Sequence, residues 1–132
     1  MSMTAQERNA LLQLEKGIQQ KLMEAIELTR DLTESVERQD EVSIQLFLSM
    51  RQRVLLEWQE LNSNLDLMQM ELSPMAAEQL KALHGGEKAQ VPEEFPVADC
   101  IATNRRLFKQ LAQLDERVSR KLCGEKSFYS ES

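Results

Sequence analysis

The sequence predicts an all-α protein: an antiparallel hairpin of two long helices, joined by a third helix in a coiled-coil-like bundle. Gly and Pro occur only four and three times in 132 residues, and aromatic residues make up 5%. Compact β-sandwiches and barrels usually need more of all three at their turns and faces. In addition, apolar residues recur at steps of three and four along three long stretches, which is the pattern of amphipathic helices.

The first helix is predicted over about residues 4–38. Its apolar stripe contains Leu11, Leu14, Ile18, Leu22, Ala25, Leu32 and Val36, with Thr29 filling one step. Two successive steps of four interrupt the heptad slightly near Gly17. The polar residues between the stripe positions, Glu15 among them, are expected to form a solvated face.

The second helix is predicted over 41–72, after a turn in which Asp40 caps the new helix. A bent but continuous helix is the alternative. The stripe is the most regular in the chain: Ile44, Phe47, Arg51, Val54, Trp58, Leu61, Leu65, Met68 and Leu72. A helix of this span is about 48 Å long. It must therefore lie along a partner of similar length, and the first helix has that length.

The remaining helices follow from local signals. Ser73-Pro74 is a helix start, which predicts a short helix over about 74–83 that ends at Gly85-Gly86. Residues 85–96 are predicted to form a mobile loop partly anchored by Val91 and Phe95. The third long helix is predicted over about 97–122 and ends at Gly124, so that residues 1–124 form one domain.

The last residues, 125–132, are predicted to form a flexible polar tail that contains Phe128 and Tyr129.

Three residues on the apolar stripes are not simple aliphatic core residues. Arg51 is expected to fix register, to snorkel its guanidinium to the edge, or to pair with an acidic residue of the first helix, Glu34 or Asp31. Asn104 is expected to set register across the bundle, and Trp58 is expected in the core rather than on a contact surface.

The second helix carries more apolar residues than a hairpin can cover. Val42, Leu46, Leu48, Leu55, Leu56, Leu67 and Met70 lie beside its main stripe. This surplus requires the third helix, self-association into a homodimer, or an incoming helix from another protein. Seven Met residues fit either a bundle core or an adaptable binding surface.

Charge and composition argue against several classes of protein. The formal net charge is −6, which disfavours binding to nucleic acid. The apolar runs are too short for a membrane span or a signal peptide. If Cys100 and Cys123 share one helix, about 35 Å separates them, which excludes a disulfide between them. Two free thiols indicate a reducing compartment, the cytoplasm.

Catalysis and metal or cofactor binding are not expected. His84 is the only histidine, so neither a catalytic triad nor a histidine-based metal set can be assembled. It is expected simply to end the short helix. Cys100 lies near a predicted helix N-terminus, where the helix dipole lowers a thiol pKa, but a small packed residue in the first turn is the favoured interpretation.

Several segments together resemble the flagellar export chaperones of the FliT/FlgN type. They are Val36-Glu-Arg-Gln-Asp40, Arg51-Gln-Arg-Val-Leu-Leu56, Asn104-Arg-Arg-Leu-Phe108 and Leu111-Ala-Gln-Leu-Asp115. In this chain Gln39-Asp40 stands where the family's turn usually reads Gly-Asp. The resemblance implies a cytoplasmic chaperone for hook-associated or filament-cap subunits. Such a chaperone binds an aggregation-prone helical terminus of its export substrate and delivers the substrate to the type III export gate.

A binding groove is expected between the second helix and the third long helix. Its apolar lining is predicted to be Phe108, Leu111, Leu114, Val118 and Leu122, with Arg105 and Lys109 among the basic residues at its rim. In an alternative arrangement the third helix covers the hairpin and swings away on binding. The alternative function is that of a structural or regulatory coiled-coil protein that oligomerises through the same stripes.

Overall fold

The fold is an all-α bundle, as the sequence predicts. The computed structural model describes the backbone of residues 3–131 and the side chains of residues 3–123. The helices are α1 (Ala5–Glu37), α2 (Glu41–Glu71), α3 (Pro74–His84) and α4 (Phe95–Glu131), with a short 3-10 turn at Pro92–Glu94. None of the described helices is both long enough and apolar enough to cross a membrane.

Helix α1 is the centre of the bundle. It begins with a capping box, in which the Glu7 amide donates to Thr4 Oγ1 at 3.1 Å and the Thr4 amide donates to Glu7 Oε1 at 2.8 Å. Both α2 and α4 pack along α1, whereas the backbones of α2 and α4 stay apart. Ten residues of α1 are buried but only three of α2. Helix α1 therefore contributes far more residues to the core than α2 does, and α2 lies at the periphery of the bundle.

The buried stripe of α1 differs from the predicted one at one position. Glu15 is 2% exposed, whereas Leu14 is only half-buried. With Glu15 included, the stripe from Leu11 to Val36 alternates steps of four and three without interruption. The expected heptad irregularity near Gly17 is therefore wrong, and so is the placement of Glu15 on a solvated face.

The turn between α1 and α2 confirms the hairpin and excludes the bent continuous helix. Gln39 adopts φ 56°, which breaks the helical path. Asp40 then caps α2, because the Ser43 amide and hydroxyl donate to its carboxylate at 3.2 and 2.7 Å. The chain reverses within a few residues, and α2 runs back along α1.

Helix α3 lies where its start and stop signals predict. Ser73 Oγ accepts a hydrogen bond from the Ala76 amide at 3.2 Å, and Pro74 is the first helical residue. The helix ends at His84, ahead of Gly85 and of Gly86, whose φ of 98° suits glycine. Leu80 and Leu83 attach α3 to the main core.

The connection from α3 to α4 is held by different residues than expected. Val91 and Phe95, the expected anchors, are 40% and 48% exposed. Instead Ala89 packs against the core, and the buried Glu94 accepts a hydrogen bond from Gln79 of α3. The expectation was wrong because Phe95 already starts α4, where its side chain lies on the outer side of the first turn.

Helix α4 starts two residues before the predicted position and extends beyond Gly124, where the sequence predicted its end. Its inward row includes Val97, Ile101, Asn104, Leu111 and Val118, all of them buried. The side chains of Phe128 and Tyr129, in the predicted tail, lie outside the described residues.

The cap of α2 generates a pH prediction. The hydrogen bonds from the Ser43 hydroxyl and amide lower the pKa of Asp40 below its ordinary 3.8. A lowered folded-state pKa adds stability above the unfolded pKa, and this stability is lost as the pH falls through the folded pKa. We therefore expect Asp40→Asn, which keeps the cap but cannot ionise, to flatten the fall in melting temperature below about pH 4.

Asp40→Ala is the matched variant, because it removes the cap as well as the charge. It should melt below both the wild type and Asp40→Asn at pH 7, as followed by far-UV circular dichroism. Identical pH profiles for the wild type and Asp40→Asn would contradict the assignment.

Candidate protein-binding groove

A groove lies between α2 and α4, with α1 as its floor. Its volume is about 260 Å³. Its apolar lining consists of Ile18 and Leu22 from α1, Trp58 and Leu65 from α2, and Ile101 and Phe108 from α4. The groove exists because α2 and α4 each pack on α1 while their backbones stay apart, so that only side chains bridge the space between them.

Two aromatic side chains form the main bridge across the groove. The rings of Trp58 and Phe108 stack with their centroids 5.8 Å apart and their planes inclined by 21°. Trp58 is half-buried and packs against the core, as predicted, but it also lines the groove. Phe108 is 49% exposed. Of the two rings, Phe108 is therefore the one that an incoming group can contact or displace.

A polar cluster lies at one end of the groove and joins α1, α3 and α4; it consists of the buried Glu15 and Asn104 and the half-buried His84. Asn104 Nδ2 donates to Glu15 Oε2 at 2.8 Å and to the Glu15 carbonyl oxygen at 2.9 Å. His84 Nε2 lies 2.8 Å from Glu15 Oε1. Each carboxylate oxygen thus has a partner, which is what allows this carboxylate to be buried.

Two polar atoms of the groove residues remain unsatisfied. Trp58 Nε1 and Asn104 Oδ1 are buried and have no hydrogen-bond partner within residues 3–123. A buried donor or acceptor without a partner costs about 1–3 kcal/mol. Because both atoms are inaccessible to solvent, they can pair with a group of a bound partner only if the Trp58 or Asn104 side chain moves.

The rim on the α4 side is basic. Arg105 and Lys109 line the groove and are exposed, and neither forms an ion pair within the described side chains. Arg105 also reaches the connecting loop, since a Cβ added at Gly86 would collide with its guanidinium group. The absence of a side chain at Gly86 thus leaves room for the Arg105 guanidinium group.

Arg51 links all three long helices further along the bundle. Its Nε donates to Thr29 Oγ1 of α1 at 3.0 Å, and its guanidinium forms an ion pair with Asp115 of α4. The expected pairing with Glu34 or Asp31 of α1 is therefore wrong. The acidic partner comes from α4 because Arg51 points into the space between α2 and α4.

The Cys100 thiol is buried beside the Glu15 cluster and donates to Gln19 Oε1 at 3.3 Å. Burial, reinforced by the negative charge of Glu15, raises its pKa above the ordinary 9.0. The structure thus agrees with a small packed residue rather than a thiol activated by the helix dipole. Cys100 and Cys123 are both free, as predicted.

The predicted binding residues fall into two groups. Phe108, Arg105 and Lys109 line the groove. Leu111 and Val118 are buried in the core, and Leu114 and Leu122 are half-buried against it. This second group contacts a partner only if α4 moves away from α1.

The floor and the far end of the groove are not predicted by the sequence. Ile18 and Leu22 were recognised as core residues, but nothing in a local pattern shows that they lie beneath an opening. Glu15 had a detectable signal, because including it makes the heptad of α1 regular. His84 was correctly placed at the end of α3, but its contact with Glu15 spans 69 positions of the chain.

Within residues 3–123, no cluster of His, Cys, Asp or Glu has the arrangement of a metal site. No family model matches the chain, and neither curated proteins nor solved structures gave a match. The class of protein that the fold defines is therefore a helical bundle with an open groove.

The buried Glu15 generates a stability prediction. Glu15→Ala removes the carboxylate partner of the buried Asn104 amide and of the half-buried His84 ring. We expect a loss of about 1–3 kcal/mol in the free energy of unfolding, measured by urea titration. Glu27→Ala, an exposed glutamate of the same helix, should change stability by less than about 0.5 kcal/mol. Equal effects of both variants would contradict a stabilising cluster.

The two thiols should react at different rates. Because Cys100 is buried and its pKa is raised, we expect a thiol reagent to modify one cysteine per native chain rapidly and the second only after unfolding. Cys123→Ser should abolish the rapid phase, whereas Cys100→Ser should retain it. Rapid modification of Cys100 in the native protein would show that α4 opens readily from α1.

Proposed function

We propose that the protein binds an amphipathic helical segment of another protein in the groove between α2 and α4. The observation that carries this proposal is an open apolar groove whose walls are two long helices. Helix-in-groove recognition uses this geometry, with the apolar face of the incoming helix inserted between two walls.

The size of the groove favours a protein segment over a small-molecule ligand. Small-molecule sites usually enclose about 300–1,000 Å³, whereas this groove measures about 260 Å³ and is open to solvent. Such a volume suits one or two anchoring side chains. The remaining residues of a bound helix would lie along the edges of α2 and α4 that border the groove.

The rim charge suggests the chemistry of the segment. Arg105 and Lys109 are basic and unpaired among the described side chains, in a chain whose net charge is −6. A partner helix with acidic residues beside its apolar face complements this rim. Rim charges chiefly set orientation and the rate of encounter and contribute less to affinity.

Within this proposal, the resemblance to the FliT/FlgN-type chaperones supplies the biological setting. The protein would be a cytoplasmic chaperone that shields a helical terminus of a hook-associated or filament-cap export substrate, and it would contact the export apparatus on delivery. It would bind rather than catalyse, with no cofactor. Leu111, Leu114, Val118 and Leu122 would join the site only in the form in which α4 swings away from α1.

A structural or regulatory coiled-coil protein is the second candidate function. The observation that favours it is the outer face of α2, where Val42, Leu46 and Met70 are all more than half exposed. This face lies on the side of α2 turned away from α1, so both functions can coexist in one molecule.

The single tryptophan offers a direct test of the proposed site. We expect the emission of Trp58 to change when the correct C-terminal segment of a flagellar hook-associated or cap protein is titrated into the protein. Phe108→Ala should weaken binding about tenfold, equivalent to about 1.4 kcal/mol. The double reversal Arg105→Glu with Lys109→Glu should slow association.

Arg30→Glu with Arg117→Glu is the matched control, because it makes the same charge change at two exposed arginines that lie outside the groove lining and form no ion pair within the described side chains. It should leave the association rate less affected than the rim reversal. Binding that is insensitive to Phe108→Ala and to the rim reversal would exclude this groove as the site. Failure of every segment to bind would exclude the chaperone proposal.

A further inference from the structure

The outer face of α2 carries an apolar stripe that nothing in the described chain covers. Val42, Leu46, Leu56, Leu67 and Met70 are between 54% and 82% exposed. At about 100° per residue, these five positions fall within one side of the helix. The core-facing row of α2, which includes Val54 and Leu65, lies on the opposite side.

The outer stripe has the same pattern when it is read from either end. From Val42 to Met70 its positions alternate steps of four and three, and Leu56 is the middle one. Leu46 and Leu67 lie at nearly equal distances on either side of Leu56, and so do Val42 and Met70. A helix with this symmetry can pair with a second copy of itself in the antiparallel direction.

The polar residues between the apolar residues of the outer stripe are also arranged symmetrically about Leu56, and the inner pair carries opposite charges. Arg53 lies three residues before Leu56 and Glu60 lies four residues after it, and both are exposed. Neither forms an ion pair within residues 3–123. Ser49 and Ser63, the next pair outward, lie at equal distances on either side of Leu56, and both are exposed, small and uncharged.

We infer that α2 pairs with α2 of a second copy in an antiparallel homodimer centred on Leu56. In this arrangement Leu56 contacts its own counterpart, and each Arg53 faces Glu60 of the other copy to within one residue's rise of about 1.5 Å. The contact extends over about 42 Å from Val42 to Met70. A two-fold axis closes the assembly at two chains.

The dimer is independent of the proposed groove function. The groove lies on the inner side of α2, where Trp58 and Leu65 point, and the outer stripe lies on the other side. Two copies would form a layer in which the hairpins lie side by side, with each groove left open. A parallel pairing would place Arg53 against Arg53 and Glu60 against Glu60, which like-charge repulsion disfavours.

Charge reversal on the full-length chain tests this geometry by sedimentation equilibrium. Arg53→Glu and Glu60→Arg should each weaken self-association about tenfold, because every dimer then contains two like-charged contacts. The double variant Arg53→Glu with Glu60→Arg should restore the wild-type dimer. An equimolar mixture of the two single variants should form a heterodimer. In the mixed antiparallel pair one chain supplies glutamate at both positions and the other supplies arginine at both, so each of the two contacts joins opposite charges.

Far-UV circular dichroism checks that each variant stays folded, and the spectra should be unchanged because these side chains are exposed in the single chain. Leu56→Asp should give a folded monomer. A wild-type chain that remains monomeric at about 100 µM would overturn the inference. So would a dimer that the charge reversals leave intact, or single variants whose mixture fails to pair. None of these results depends on whether the groove binds a helix.

Discussion

The bundle depends on the ability of α1 to bury two faces at once. Its ten buried residues contact α2 on one side and α4 on the other, and neither of those helices packs extensively on the other. Adjacent residues such as Ala25 and Ile26 are both fully or nearly fully buried, which a helix with a single partner does not require. The groove is the space that this arrangement leaves between the two outer helices.

The buried carboxylate of Glu15 fixes how the other elements sit on α1. A charge in the core is tolerated only where its hydrogen bonds are satisfied, and here the donors come from Asn104 of α4 and from the histidine at the end of α3. Sliding α4 along α1 by one turn would break the contact with Asn104 and leave the carboxylate exposed to an apolar environment. Burying Glu15 costs free energy, but its hydrogen bonds select one register of α4 on α1 among several that apolar packing alone would allow.

Much of the fold could be predicted from the sequence because the relevant signals are local. The apolar periodicity and the caps at Asp40 and Ser73 located α2 and α3 closely, and they also predicted the hairpin. The parts that could not be predicted depend on contacts between distant segments. One of the three roles expected for Arg51, an ion pair with an acidic residue of α1, was wrong, because the sequence shows that the hairpin brings α1 close but not where α4 lies. For the groove, the aromatic and basic residues Phe108, Arg105 and Lys109 were identified, but the floor was not, since an opening between helices has no periodic signature.

The separation of the groove residues along the chain has a consequence for the order of folding. Glu15 and Asn104 are 89 positions apart, whereas α1 and α2 are joined by a short turn. Contacts between distant segments require a larger loss of chain entropy than contacts across a short turn. The topology therefore favours early formation of the hairpin and late docking of α4. During synthesis on the ribosome, a nascent chain whose α4 has not yet emerged therefore has no groove.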